Sequence, residues 1–63
     1  MKLKKYGMRL RPAGPGCQPR GMVKFEDTNK RTTGYWSVIY YEEELTEKDM
    51  FIYSLDFLGE VRA

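Results

Sequence analysis

Histidine is absent from this sequence of 63 residues, and cysteine occurs only once. Without an imidazole, the usual general base at neutral pH is missing. The single thiol, Cys17, cannot close an intramolecular disulfide. With no histidine or second cysteine, no thiolate or imidazole metal site can be assembled either. This inventory fits a reducing compartment. Long apolar runs are missing as well, since nothing approaches the roughly 20 residues that cross a bilayer. Met1-Lys-Leu-Lys-Lys5 leads into Tyr6-Gly-Met-Arg9 instead of the apolar core of a secretion signal. No membrane contact is expected, and the cytoplasm is the expected location.

Proline is scarce but concentrated. All three prolines and half of the glycines fall in the stretch Arg9-Leu-Arg-Pro-Ala-Gly-Pro-Gly-Cys-Gln-Pro-Arg-Gly21. Proline fixes φ and glycine accepts positive φ, so this segment forms a shaped loop over 12–21 that continues neither a helix nor a central strand. The chain is short enough to make one domain, residues 1–63, burying only about 60% of the surface of its unfolded form. Its stability is therefore marginal, and a partner or a dimer mate would help it.

Net charge is small, +2, but it is unevenly distributed. Residues 1–31 hold nine Lys/Arg against Glu26 and Asp27, a balance of +7; residues 32–63 hold two against seven, a balance of −5. Strand order decides whether this dipole survives folding. A basic first strand beside Glu42-Glu-Glu44 would cancel much of it, and a different order would leave a basic face.

Tyr6, Met8 and Leu10 alternate with Gly7, Arg9 and Arg11, which predicts a half-buried strand over about Lys4 to Arg11 with a basic outer face. Met22-Val-Lys-Phe-Glu26 alternates again with Val23 and Phe25 inward. It ends in the polar turn 27–34, where Asn29 and Gly34 act as breakers and a hairpin loop is expected. Tyr35-Trp-Ser-Val-Ile-Tyr-Tyr41 is aromatic and β-branched, which suits a central strand covered on both faces. Thr46 is placed to cap the backbone at Asp49, and Leu45 to staple onto Met50, predicting a short helix over about 46–54. Glu47 and Asp49 suit its first turn, and Met50 with Tyr53 share its buried face. Leu55-Asp-Phe-Leu58 resumes the alternation in a last short strand before Gly59.

Catalysis is hard to build from these residues. Cys17 has no imidazole to deprotonate it; Arg20 could lower its pKa, giving at most a redox-sensitive thiol, and the plain reading is a small loop residue. Glu42-Glu43-Glu44 could be read as a carboxylate cluster for a hard cation. Consecutive residues of an extended segment point to alternating faces, so a solvated, edge-protecting run is the better reading. Gly14-Pro-Gly16 lacks the Lys-Ser/Thr ending of a phosphate loop and reads as a turn. For nucleic acid, Lys2, Lys4, Lys5, Arg9, Arg11, Arg20 and Lys24 near Tyr6, Tyr35 and Trp36 would suffice for phosphate contacts and base stacking. A core this small needs most of those aromatics, Trp36 included.

The order Tyr6-x-Met8-Arg9-Leu10-Arg11-Pro12, Gly16-Cys-Gln-Pro19-Arg-Gly21, Trp36-Ser-Val-Ile-Tyr40, Glu44-Leu-Thr-Glu-Lys-Asp49 and Tyr53-x-Leu55 resembles short proteins related to the C-terminal domain of defence against restriction A. It spans nearly the whole chain. The shared motifs are structural and carry no active site. The resemblance implies a protein of a phage or other mobile element, acting in the host cell, whose larger relative is an accessory antirestriction factor carried in the virion.

These readings converge on a small α+β domain, a three- or four-stranded mostly antiparallel sheet with one short helix packed on a face. The expected function is a non-catalytic protein-interaction or adaptor module, with no cofactor and no metal. Its candidate contacts are Arg9, Arg11, Gln18, Arg20 and Lys24, docking an acidic protein surface or adding to a sheet edge. A homodimer is a further expectation. The alternative is sequence-nonspecific nucleic-acid binding by the same basic half.

Overall fold

The computed structural model describes residues 2–11, 16 and 18–62. Four strands and two short helices follow in the order β1 (Lys2–Met8), β2 (Met22–Asp27), α1 (Lys30–Thr33), β3 (Ser37–Tyr41), α2 (Glu47–Ile52) and β4 (Leu55–Arg62). The strands form one sheet, ordered β2-β3-β1-β4, in which all neighbours are antiparallel. The domain is α+β with four strands. The expectation of a single helix is corrected to two, because the polar turn 27–34 contains α1. Asn29 and Gly34 are its caps: the Asn29 side chain accepts from the Arg31 amide, and Gly34 takes φ +84° at the C-terminus.

Both β1 and β2 run antiparallel to β3, so they are parallel to each other, and the segment 9–21 must cross β3 to join them. By the same logic α2 crosses β1 to join β3 to β4. This is the strand order of the split β-α-β arrangement, with the Pro/Gly segment in place of the first crossover helix. The described residues Pro19 and Met22 lie on the same face as α2. There Tyr6, Met8, Ile39, Tyr41 and Leu55 form the main core, against which Leu45, Met50 and Tyr53 pack. The described part of the Pro/Gly segment joins them through Pro19, whose carbonyl accepts the Tyr41 hydroxyl at 2.7 Å. The Leu45 amide donates to the Tyr6 hydroxyl at 2.8 Å, which ties the start of the crossover to the central strand. Gly14, Pro15 and Cys17 lie outside the described residues.

The register sets a row across this face from Phe25 through Ile39 and Tyr6 to Phe57. Its two central members are fully buried. The outer two, on the edge strands, are 44% and 47% exposed. Phe25 faces the core side as its alternation suggests but stays 44% exposed because β2 is an edge, and Val23, at the register irregularity, is 51% exposed. The strand over Lys4 to Arg11 likewise shifts to Lys2–Met8, leaving Leu10 exposed. On the opposite face Leu3, Val38 and Tyr40 form a second cluster with Val61. That two-sided burial makes every residue of β3 buried, in keeping with its aromatic and β-branched composition. Thr46 caps α2, its side-chain oxygen accepting from the Asp49 amide at 3.2 Å. Among the described residues no helix is long and apolar enough to cross a membrane.

Candidate functional site

The end of the sheet where β1 finishes and β3 begins gathers Arg9, Leu10, Arg11, Trp36 and the α1 turn. Backbone pairing holds it in place. The Trp36 amide donates to the Met8 carbonyl at 2.9 Å, and the Thr28 amide to the Trp36 carbonyl at 3.4 Å. The Arg11 guanidinium lies over the Trp36 ring, 5.8 Å from its centroid. Trp36 is 39% exposed, and Leu10, next to Arg11 in the chain, is 63% exposed. Trp36 is thus a surface residue, contrary to its assignment to the core, because it precedes the first buried residue of β3, Ser37.

Arg9 serves a different purpose. Its Nε lies 3.3 Å from Asp56 Oδ1 and 3.4 Å from the Ser54 carbonyl. Asp56 Oδ2 also accepts the Tyr35 hydroxyl at 3.0 Å, and that hydrogen bond holds the Tyr35 pKa above its ordinary value. The Tyr35 ring lies against Gly7, where a Cβ would fall within 2.6 Å of it. Arg9, Asp56, Tyr35 and Gly7 therefore form one clamp across β1 and β4. In α1, Lys30 donates to the Gly34 carbonyl at 2.8 Å, while Arg31 stands exposed beside it. The sequence marks both cations only as part of a polar turn.

The remaining candidates lie elsewhere. Gln18 and Arg20 precede β2 at the opposite end of the sheet, where Met22 pairs with Tyr41. The two ends are separated by about 13 Å, the rise of the four residues from Lys4 to Met8 at roughly 3.3 Å each. Arg20 borders an open cleft of about 390 Å³ whose other walls include Glu42, Glu43, Glu44 and Asp49. Lys24 sits mid-strand on the second face. Its ammonium lies 5.3 Å from the Tyr40 ring centroid and 3.5 Å from Glu26. Tyr40 donates to the same carboxylate at 2.5 Å. This contact lowers the Glu26 pKa and raises that of Tyr40 to about 12, with burial adding to the latter. The fold brings Arg9 and Arg11 together, and Gln18 and Arg20 together, but does not unite the five residues in one patch.

Strand order also settles how the charges meet. Arg9, just past β1, pairs with Asp56 of β4, so part of the basic N-terminal half is offset by the acidic half of the chain; Lys4 lies across from Glu60 in the register and donates to the Glu42 main-chain carbonyl at 3.2 Å. Tyr40, on the second face, already carries Lys24 and Glu26 and is 7% exposed, so its own ring is not open to a stacking base. Among the described residues no group of three or more Asp, Glu, His or Cys side chains could hold a metal ion.

No curated protein and no solved structure matches this chain. The family model described as defence against restriction A C-terminal matches residues 1–59, which takes in all four strands up to Gly59 and both helices. The chain belongs to the defence against restriction A C-terminal family.

Proposed function

We propose that this domain is a non-catalytic protein-binding module in an antirestriction system of a phage or mobile element, and that it docks an acidic protein surface through the Trp36 end of the sheet. The observation that carries this reading is the Arg11 guanidinium held over an exposed Trp36 ring. Tryptophan and arginine are among the residues that dominate interface energetics, and a Trp36 ring anchored by its backbone and already covered by Arg11 loses less entropy on binding. Arg9 acts as a positioning residue, tying the start of this segment to Ser54 and Asp56. Arg31 adds long-range attraction to a negative partner. The family name supplies the antirestriction setting.

The test compares proteins captured from cells carrying the element by the native domain, Arg11→Glu and Trp36→Ala. The native domain should retain a specific acidic partner. Either substitution should weaken that retention by about tenfold or more, as expected for a hot-spot residue costing at least about 1.4 kcal/mol. Capture unaffected by both variants would overturn the surface. Exposed Trp36 among cations also suits single-stranded nucleic acid, so oligonucleotide titration belongs beside it. Binding that falls with salt at a slope of about −0.7 per phosphate would transfer the same end to that reading.

A further inference from the structure

The two edges of the sheet differ in what they offer another strand. In β4 the register slips between Lys5 and Tyr6, leaving Leu58 without a Cα partner, and Gly59 takes φ +108° in mid-strand. Such a bulge twists an edge away from further pairing. In β2 the irregularity falls at Val23, near the start of the strand, and Lys24, Phe25, Glu26 and Asp27 pair in unbroken register with Tyr40, Ile39, Val38 and Ser37. Among the described residues no strand pairs with the outer side of β2, where Val23 is 51% and Phe25 44% exposed.

We propose that a second copy of this chain occupies that edge, β2 pairing antiparallel with β2 of its mate about a two-fold axis at Phe25, so that two four-stranded sheets become one. The argument is self-complementarity. A two-fold axis normal to the sheet keeps the faces of both copies on the same sides, so paired residues must come from the same face and the axis must pass a residue. Centring it on Lys24 sets two ammonium groups opposite each other, and centring it on Glu26 sets two carboxylates opposite; both are unfavourable. Centring it on Phe25 sets Phe25 against Phe25 on the core side and Lys24 against Glu26 twice on the other. Aromatic pairs and opposite charges are the cross-strand partners that stabilise a sheet. The aromatic row Phe25–Ile39–Tyr6–Phe57 then continues across the axis, and a chain of this size gains the apolar burial it lacks alone. This proposal uses the outer side of β2 and leaves the Trp36 end free, so either reading can fail without the other.

The test is sedimentation velocity of the whole chain across a micromolar-to-millimolar series, with heteronuclear NMR spectra reporting the fold of each variant. The average mass should rise from one chain toward two with concentration. Phe25→Lys should raise the dissociation constant by about tenfold or more, replacing an aromatic pair with opposed charges. Lys24→Glu should also weaken the dimer, and Lys24→Glu combined with Glu26→Lys should restore it, because the exchange rebuilds both cross-strand pairs. Isotope-filtered contacts between Phe25 of one copy and Phe25 of the other would support the register. A single-chain mass throughout, a dimer indifferent to Phe25→Lys, or a double exchange that fails to restore association would overturn the proposal.

Discussion

Gly7→Ala tests the clamp that joins β1 to β4. A Cβ at position 7 would lie 2.6, 2.6 and 2.8 Å from three atoms of the Tyr35 ring. Ordinary contact begins near 3.4 Å, so the ring must retreat by about 0.8 Å. It cannot retreat without cost, because its hydroxyl is held by Asp56 at 3.0 Å and the same carboxylate is paired with Arg9 at 3.3 Å. Overpacking of this kind costs roughly 1–3 kcal/mol. A strained hydrogen bond to a carboxylate adds a fraction of its ordinary roughly 1.5–3 kcal/mol, since the Asp56 side chain is 41% exposed. Against this, alanine restricts the unfolded chain and returns roughly 0.4–1 kcal/mol. The balance is a loss of about 1–2 kcal/mol. For a domain of this size that lowers Tm by about 5–15 °C, read by circular dichroism. The decisive comparison is the same substitution in a Tyr35→Ala background, where the obstructing ring is gone and Gly7→Ala should become neutral or stabilising. An equal cost in both backgrounds would refute the reasoning, as would a native-like Tm for the single variant.

Two further outcomes follow from buried hydroxyls. Tyr41→Phe leaves the Pro19 carbonyl without the donor it meets at 2.7 Å, and should lower the urea midpoint by an amount equivalent to about 1–3 kcal/mol with an unchanged slope. An unchanged midpoint would show that this bond does not hold the Pro/Gly segment to the core. At high pH Tyr40 and Tyr41 should act together. Tyr40 is raised from 10 to about 12 in the folded state by its bond to Glu26, and Tyr41 is raised chiefly by burial. The folded chain therefore keeps protons that the unfolded chain releases near pH 10. This stabilisation is complete below pH 10 and is lost as the pH rises through about 12. Tyrosinate absorbance followed together with circular dichroism should show these residues ionising as the fold is lost. Tyr40 and Tyr41 titrating near pH 10 with the fold intact would contradict it.

Much of the local structure was legible because its causes are local. Tyr35 to Tyr41 announces a central strand through composition, and all five residues of β3 are buried. Thr46 announces the start of α2 through a side chain three residues from the amide it caps. Asn29 and Gly34 were legible as breakers but not as the two caps of one helical turn, since either residue serves a bare turn equally well. Val23 and Phe25 carry the alternation of a buried face, yet period two specifies only that alternate residues share a side. Which strand lies beyond them is not written in that period.

Residue chemistry alone dictates that this chain has no imidazole chemistry, that its strands alternate, where α2 begins, and that a Pro/Gly segment separates β1 from β2. Each follows from residue chemistry acting over a few positions. That β3 lies between β1 and β2 emerges from the packed sheet. That placement sends Arg9 and Arg11 to one end of the sheet and Gln18 and Arg20 to the other, brings Trp36 to the surface under Arg11, and leaves β2 as an edge. Strand order is set by which apolar faces can be buried together over long sequence separations, a property of the whole chain that no local pattern contains.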